Sequence, residues 1–272
     1  MKPFKLSVPA VMGILNITPD SFYDGGRYQT EKEISTQIDV MVSYGAQMID
    51  IGAESSRPGS TPVSAADEIN RISSVIPVIS KYQDVYFSID TWKVEVAEFA
   101  LKNGFRMLND ITGGGSNGHM FNLSKEYDVP VIIMHMLGKP EMMQQNPKYL
   151  DLIPELIQFF SLRIEMAKSL GVSDKNIILD PGIGFGKSVQ DNFEIINSID
   201  RFAQLGYPVL IGASRKSFLR VQDDYPKDRL GASITTAIIA VRNGASIVRV
   251  HDVSQTVKSL FIYNKFNHPS MN

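Results

Sequence analysis

Eight times along this chain a short apolar run is followed by a longer segment of helical periodicity. The runs are 10–17, 47–52, 85–90, 105–109, 129–135, 176–180, 208–212 and 246–250. They are nearly continuous in Val, Ile, Leu and Met, the pattern of parallel strands buried on both faces. The helical segments lie at 31–44, 64–80, 92–102, 118–127, 151–170, 190–204, 229–243 and 253–266. Ser64 and Thr91 stand where N-caps belong. Gly45, Gly104, Gly171 and Gly244 follow the last apolar helix positions, as C-terminal stops do. Eight units in 272 residues give about 34 residues each, close to the ~31 of a 250-residue (β/α)8 barrel. The expected fold is α/β, a single-domain (β/α)8 TIM barrel over residues 1–272. A doubly wound open sheet is the rival, but it rarely needs eight such regular units, and no linker divides the chain.

Charge and composition narrow the partners. The net charge of −2 supplies no basic field for nucleic acid. Cysteine is absent, which removes disulfides, thiol nucleophiles and thiolate metal sites, and fits a reducing cytoplasm. Lys2 and Lys5 before the apolar stretch 8–15 superficially resemble a signal peptide. The stretch is short, however, and contains Pro9 and Gly13, so a buried first strand is expected. No stretch approaches the ~18 apolar residues of a membrane helix.

Residues 180–188, DPGIGFGKS, follow an apolar run and invite comparison with a phosphate-binding P-loop. That loop needs four residues between its first glycine and the Gly-Lys pair. Gly182 and Gly186 are separated by three, and the preceding position is Pro181, which has no N–H. The P-loop reading fails, and Asp180 at the end of a buried strand needs another explanation.

In a (β/α)8 barrel the active site forms where strands end. Here the ends carry Asn16, Glu54 to Arg57, Asp90, Asn109-Asp110, His135, Asp180, Ser214 to Lys216, and Arg249 with His251. Any one of these could merely cap a helix or face water. Together they fall into two chemistries. Asp90, Asn109, Asp180 and Lys216 suit a flat heterocycle whose adjacent N–H groups a carboxylate can accept in parallel. Two aspartates could also mean a metal, but no His or Glu stands beside them at short ligand spacing. Arg57, Arg249 and His251, with Asn16 and the Ser56 hydroxyl, suit an anion of several charges such as a diphosphate. A hard cation such as Mg²⁺ commonly shares that charge. His119 and His268 fall on helical or tail segments and read as structural. His135 is either a satisfied core histidine or a direct participant.

GILNITPDSFYDGG (13–26), ESSRPG (54–59), SIDTWK (88–93), LNDI (108–111), DPGIGFGKS, ASRKSF (213–218) and RVHD (249–252) together resemble the dihydropteroate synthase family. No single motif decides this. Seven in the family's order, across most of the chain, are specific. The resemblance implies a (β/α)8 barrel. It also implies a reaction in folate biosynthesis: a dihydropterin methyl diphosphate loses diphosphate and is joined to 4-aminobenzoate, giving 7,8-dihydropteroate. It further implies Mg²⁺ as cofactor, these two small molecules as partners, and a homodimer.

Carried over by motif, the pterin pocket comprises Asp90, Asn109, Ile111, Met134, Asp180 and Lys216. The diphosphate site comprises Asn16, Ser56, Arg57, Arg249 and His251, with Asn16 toward the metal. The aminobenzoate site comprises Phe22, Arg57, Pro58, Phe185, Lys216 and Ser217. Asp24, Asp90, Asp180, Lys216 and Arg249 are the expected catalytic set. The carboxylates would stabilise a methylene cation, and Arg249 the departing charge. Ser217 opens a segment whose free N–H groups suit the aminobenzoate carboxylate. The loops 18–28 and 54–63 are rich in Gly, Pro and Ser and long enough to close over reactants. Lys187 has no family role and is expected at the surface.

Two positions depart from the family pattern. Ala53 replaces a usual glycine, which puts the backbone before Glu54 in doubt. Ser56 replaces a usual threonine and loses a methyl. Three other readings compete. The pterin-binding domain of a corrinoid methyltransferase would not need the Arg57 loop or Ser-Arg-Lys. A non-catalytic pterin-binding paralogue should have lost diphosphate ligands. A sugar-phosphate aldolase with Lys216 as Schiff-base lysine leaves the carboxylate-rich pocket unexplained.

Overall fold

The structure, a computed structural model, describes residues 8–18, 31–54, 62–138, 149–221 and 229–267. Its elements alternate as expected. The first half holds β1 (Ala10–Asn16), α1 (Glu31–Ser43), β2 (Met48–Gly52), α2 (Ala65–Ser73), α3 (Ile76–Ile79), β3 (Tyr86–Asp90), α4 (Val94–Lys102) and β4 (Met107–Asp110). The second holds α5 (His119–Tyr127), β5 (Val131–Met134), α6 (Leu152–Ser169), β6 (Ile177–Asp180), α7 (Val189–Asn197), α8 (Ile199–Ala203), β7 (Leu210–Ile211), α9 (Leu230–Arg242), β8 (Ile247–Val250) and α10 (Val253–Asn267). The strands pair in parallel in the order β6-β5-β4-β3-β2-β1-β8-β7. The two ends meet through a parallel bridge between Leu179 and Val209, with Leu179 N donating to Pro208 O at 2.9 Å. An open sheet would leave both edges unpaired; here they find each other, so the barrel expectation holds.

Strand parity decides what faces where. Alternate residues point to opposite sides. Ile49, Ile51, Phe87, Ile89, Val131, Ile133, Ile177 and Leu179 point outward and merge with the helices into one apolar cluster. Ala10, Met12, Met48, Met107, Ile132, Ile178, Leu210 and Ile247 point inward and form a separate cluster with Tyr86. That inner cluster is the barrel floor. Two residues further along the same inward parity come Asp50, Ser88, Asn109, Met134, Asp180 and Arg249. Another step reaches Gly52, Asp90 and Ile111, while Asn16 lies four residues beyond Met12. An apolar floor thus carries a polar ring toward the carboxyl ends of the strands.

Local differences from the expected elements have local causes. Segment 64–80 divides into α2 and α3, with Pro77 at the start of α3, where its missing N–H cannot extend α2. Segment 190–204 divides at Ser198, whose φ of −113° and ψ of 21° leave the helical region. There Asn243 Nδ2 donates to Ile196 O at 2.8 Å, a tertiary bond that local periodicity cannot announce. Ser64 caps α2 as expected, accepting from Asp67 N at 3.1 Å. Thr91 is not an N-cap: α4 starts at Val94 with Lys93 before it, and Thr91 Oγ1 accepts from Lys93 N at 3.2 Å.

Candidate active site at the carboxyl ends of the strands

Asp50 on β2 is completely buried and anchors the inner ring. Its Oδ2 accepts from Asn109 Nδ2 at 2.8 Å and from Arg249 Nε at 2.6 Å. Arg249 reaches onward with Nη2 to Asp90 Oδ2 at 2.9 Å. Four strands, β2, β3, β4 and β8, are thereby joined through side chains above the floor. Asn16 closes the arc on β1: a Cβ built on Gly52 would sit 3.5 Å from Asn16 Oδ1 and 3.7 Å from Asp90 Oδ2. The Asn16 carbonyl oxygen therefore hangs over β2 beside the Asp90 carboxylate.

The charges in this ring perturb one another. Burial, then the nearby Asp50 charge, pushes the Asp90 carboxyl up to about 7, against the pull of Arg249. The Asp90 side chain keeps 20% of its surface exposed, so water tempers that push without reversing it. Arg249 is desolvated too, but Asp50 and Asp90 outweigh this and keep it charged.

The opposite wall is built by β6 and the turn after it. Asp180 Oδ1 accepts from Gly182 N at 2.7 Å. Burial raises the Asp180 carboxyl, opposed by that backbone bond and by the Lys216 charge. Lys216 donates Nζ to Ile183 O and stands 4.4 Å from the Phe185 ring centroid, a cation–π contact. Burial pushes Lys216 down to about 8, although Asp180 resists. Lys216 feels the charges of Asp180, Arg249 and Asp90, so the expected groups converge on one mouth. Met134 pairs in register with Asp180, and both Met134 and Ile111 are buried beside the polar ring.

His251 lies at the rim, two residues beyond Arg249, where its Nδ1 meets Ser214 Oγ at 3.0 Å. Ser217 is exposed and begins a single 3-10 turn, Ser217–Leu219, rather than a full helix. Phe22, Asp24, Ser56, Arg57, Pro58 and His268 lie outside the described residues, as do most of the loops 18–28 and 54–63.

Two residues, Lys187 and Asp50, differ from expectation, and His135 resolves to one of its two expected alternatives. Lys187 is not a surface lysine: it is 3% exposed, with Nζ 3.1 Å from His135 Nδ1, 3.3 Å from His135 O and 3.0 Å from Phe185 O. Burial pushes it down to about 7. His135 is the satisfied core histidine, held down at about 3 by burial and by Lys187, with its ring edge-on to Phe159 at 4.8 Å. Asp50 was not among the expected site residues: in a run buried on both faces, alternation alone does not say which parity points inward. The Ala53 departure is absorbed: Ala53 is fully buried and its carbonyl accepts from Arg71 Nη1 at 2.7 Å. Among the described residues only Asp128 and Arg215 are non-glycines at positive φ, so Ala53 bears no left-handed strain.

Residues 12–251 match the model of a family described as pterin binding enzyme. A dihydropteroate synthase of Streptococcus pyogenes is 45% identical over 247 residues, 90% of each chain. The chain belongs to the dihydropteroate synthase family. Its activity is therefore that of a transferase condensing (7,8-dihydropterin-6-yl)methyl diphosphate with 4-aminobenzoate to give 7,8-dihydropteroate and diphosphate. Two solved structures agree in fold. Dihydropteroate synthase of Yersinia pestis, in a sulfonamide drug complex, superposes with a TM-score of 0.90 at 37% identity, covering 97% of this chain and 96% of that one. The Xanthomonas albilineans enzyme with 4-aminobenzoic acid gives 0.88 at 35% identity, covering 96% and 94%.

Proposed function

We propose that the condensation runs dissociatively at this mouth, with C–O cleavage ahead of amine attack. The observation that carries the reading is the arrangement of Arg249 between Asp50 and Asp90, facing Asp180 and Lys216. The pterin ring lies on Met134 and Ile111. Its N–H edge meets Asp180 and Asp90, and Asn109 stays oriented by Asp50. Arg249 and His251, with Ser56 and Arg57, take the diphosphate. The C–O bond breaks, and its electron pair leaves with the diphosphate. The methylene left behind is a cation conjugated with the pterin, and the surrounding carboxylates stabilise it. The 4-aminobenzoate nitrogen, already unprotonated at neutral pH, needs positioning more than a base. Phe185, Lys216, Ser217, Phe22, Arg57 and Pro58 supply it. The C–N bond forms, and the nitrogen's proton passes to solvent or diphosphate.

Asn16 would be the protein ligand of Mg²⁺. Among the described residues no group of three or more His, Asp, Glu or Cys could hold a metal alone. An amide oxygen at the mouth fits a hard cation that takes its other ligands from diphosphate and water. When bound it neutralises charge on the leaving group. We also propose a cytoplasmic homodimer, supported by the absence of cysteine and by Phe261, Ile262 and Phe266 exposed on α10. Among the described residues no helix is long and apolar enough to cross a membrane.

The test is isotopic. The pterin diphosphate labelled at its bridging oxygen is incubated with enzyme and Mg²⁺ but without amine. Scrambling of the label, or slow diphosphate release, is expected. No scrambling, together with a rate that tracks amine basicity steeply, would mean concerted displacement.

A further inference from the structure

We infer that Lys187 is a positioning residue for the condensation, a buried post that fixes the turn between β6 and α7 in the shape the substrates need. An ammonium has three donors, and Lys187 Nζ has three acceptors around it: His135 Nδ1, His135 O and Phe185 O. The Nδ1 contact requires that nitrogen to accept, which leaves the His135 proton on Nε2.

The turn packs backbone against backbone. A Cβ on Gly182, at φ +70°, would lie 2.0 Å from His135 O. Gly186 stands against Leu137 in the same way, and its carbonyl accepts from Tyr149 Oη at 2.9 Å. Hydrophobic residues could fill such a space without burying a charge. A lysine here desolvates an ion, and what it gains is a fixed direction for two carbonyls.

Three contacts of the mouth depend on that turn: Gly182 N on Asp180, Ile183 O on Lys216, and the Phe185 ring beneath Lys216. Lys187 touches none of the reacting atoms. It acts through Phe185 and Gly182, on both sides of the developing bond. The inference rests on the assignment of Phe185 and Lys216 to 4-aminobenzoate proposed above.

The experiment is a double-mutant cycle on Lys187→Met and Phe185→Ala, with KM for 4-aminobenzoate, kcat, pterin affinity and thermal midpoint as readouts. Lys187→Gln, which keeps an N–H donor, carries the same test if the methionine variant fails to fold. Lys187→Met should raise the KM on the order of tenfold. In the Phe185→Ala background it should add less than about threefold, because both changes act on one ring. A lower midpoint with unchanged KM and pterin affinity would reduce Lys187 to a structural part. Fully additive effects would mean it does not act through Phe185. Either result overturns the inference. If Phe185→Ala alone leaves the KM unchanged, the aminobenzoate assignment fails instead. Lys187 is then judged on pterin affinity, where a change below about threefold in Lys187→Met overturns it.

Discussion

Arg249 Nη2 lies 2.9 Å from Asp90 Oδ2, so the cation proposed for the diphosphate is tied to the carboxylate proposed for the pterin. The same guanidinium holds Asp50, which is fully buried. Arg249→Ala should therefore do two separable things. It strands a buried carboxylate, with a stability loss of roughly 3–5 kcal/mol. It also leaves the departing diphosphate uncompensated, slowing single-turnover release by about 10²–10³. Adding Asp50→Asn should recover most of the stability and none of the rate. Release that returns along with the melting midpoint would show that the loss of rate was only a folding defect.

The pH dependence of pterin binding follows from Asp90. Its carboxyl is pushed up to about 7, so the acceptor form is scarce below neutrality. Pterin affinity should rise with pH up to about 7, by roughly tenfold per unit, and then level off. Binding at pH 6 should release protons, which calorimetry in buffers of different ionisation enthalpy reads directly. Stability runs the other way. A carboxyl whose folded pKa lies above its unfolded value of 3.8 makes the native state bind more protons between about pH 4 and 7. Stability from this group is lost across that window and is flat above it. Asp90→Asn should melt higher than the parent by a margin that grows from pH 4 to 7, at about 2–4 °C per kcal/mol for a chain of this size. A constant margin would rule out Asp90 as the titrating group.

Asp180→Asn separates recognition from architecture. The asparagine carbonyl can still accept from Gly182 N, so the turn and the midpoint should change little. The second acceptor becomes a donor facing the pterin N–H groups. Pterin affinity should fall by about 1.5–3 kcal/mol. Intact affinity would remove Asp180 from the pocket.

Lys93 should control the described ends of the segment that carries Ser56 and Arg57. It pairs with Glu54 and, at 2.7 Å, with the fully buried Glu68, while Glu54 Oε1 accepts from Val63 N at 2.8 Å. Lys93→Met leaves two carboxylates unpaired and should destabilise by roughly 3–5 kcal/mol. Combining it with Glu68→Gln should restore part of that stability. Aminobenzoate binding, measured with pterin and diphosphate present, should stay weak in both variants. Binding at parental strength would mean the segment needs no such anchor.

The linear sequence determined the alternation of strand and helix, the eightfold count and the polar groups at the strand ends, because these depend on spacing along a regular backbone. Asp90, Asn109, Asp180, Lys216 and Arg249 were legible for that reason, each standing at or just beyond the end of an apolar run. What the runs concealed was parity. A strand buried on both faces reads as uniformly apolar, so nothing in the string alone separated the Met12 and Met48 floor from the Ile49 and Ile51 exterior, or marked Asp50 as an inward charge. Only the closed barrel, by fixing which side is inside, set Asp50 beneath Arg249 and Asn109. Lys187 was harder still. A lysine after glycines looks solvated, and its burial follows from the turn after β6 folding back across His135 just beyond β5, a contact that spacing along either strand does not contain.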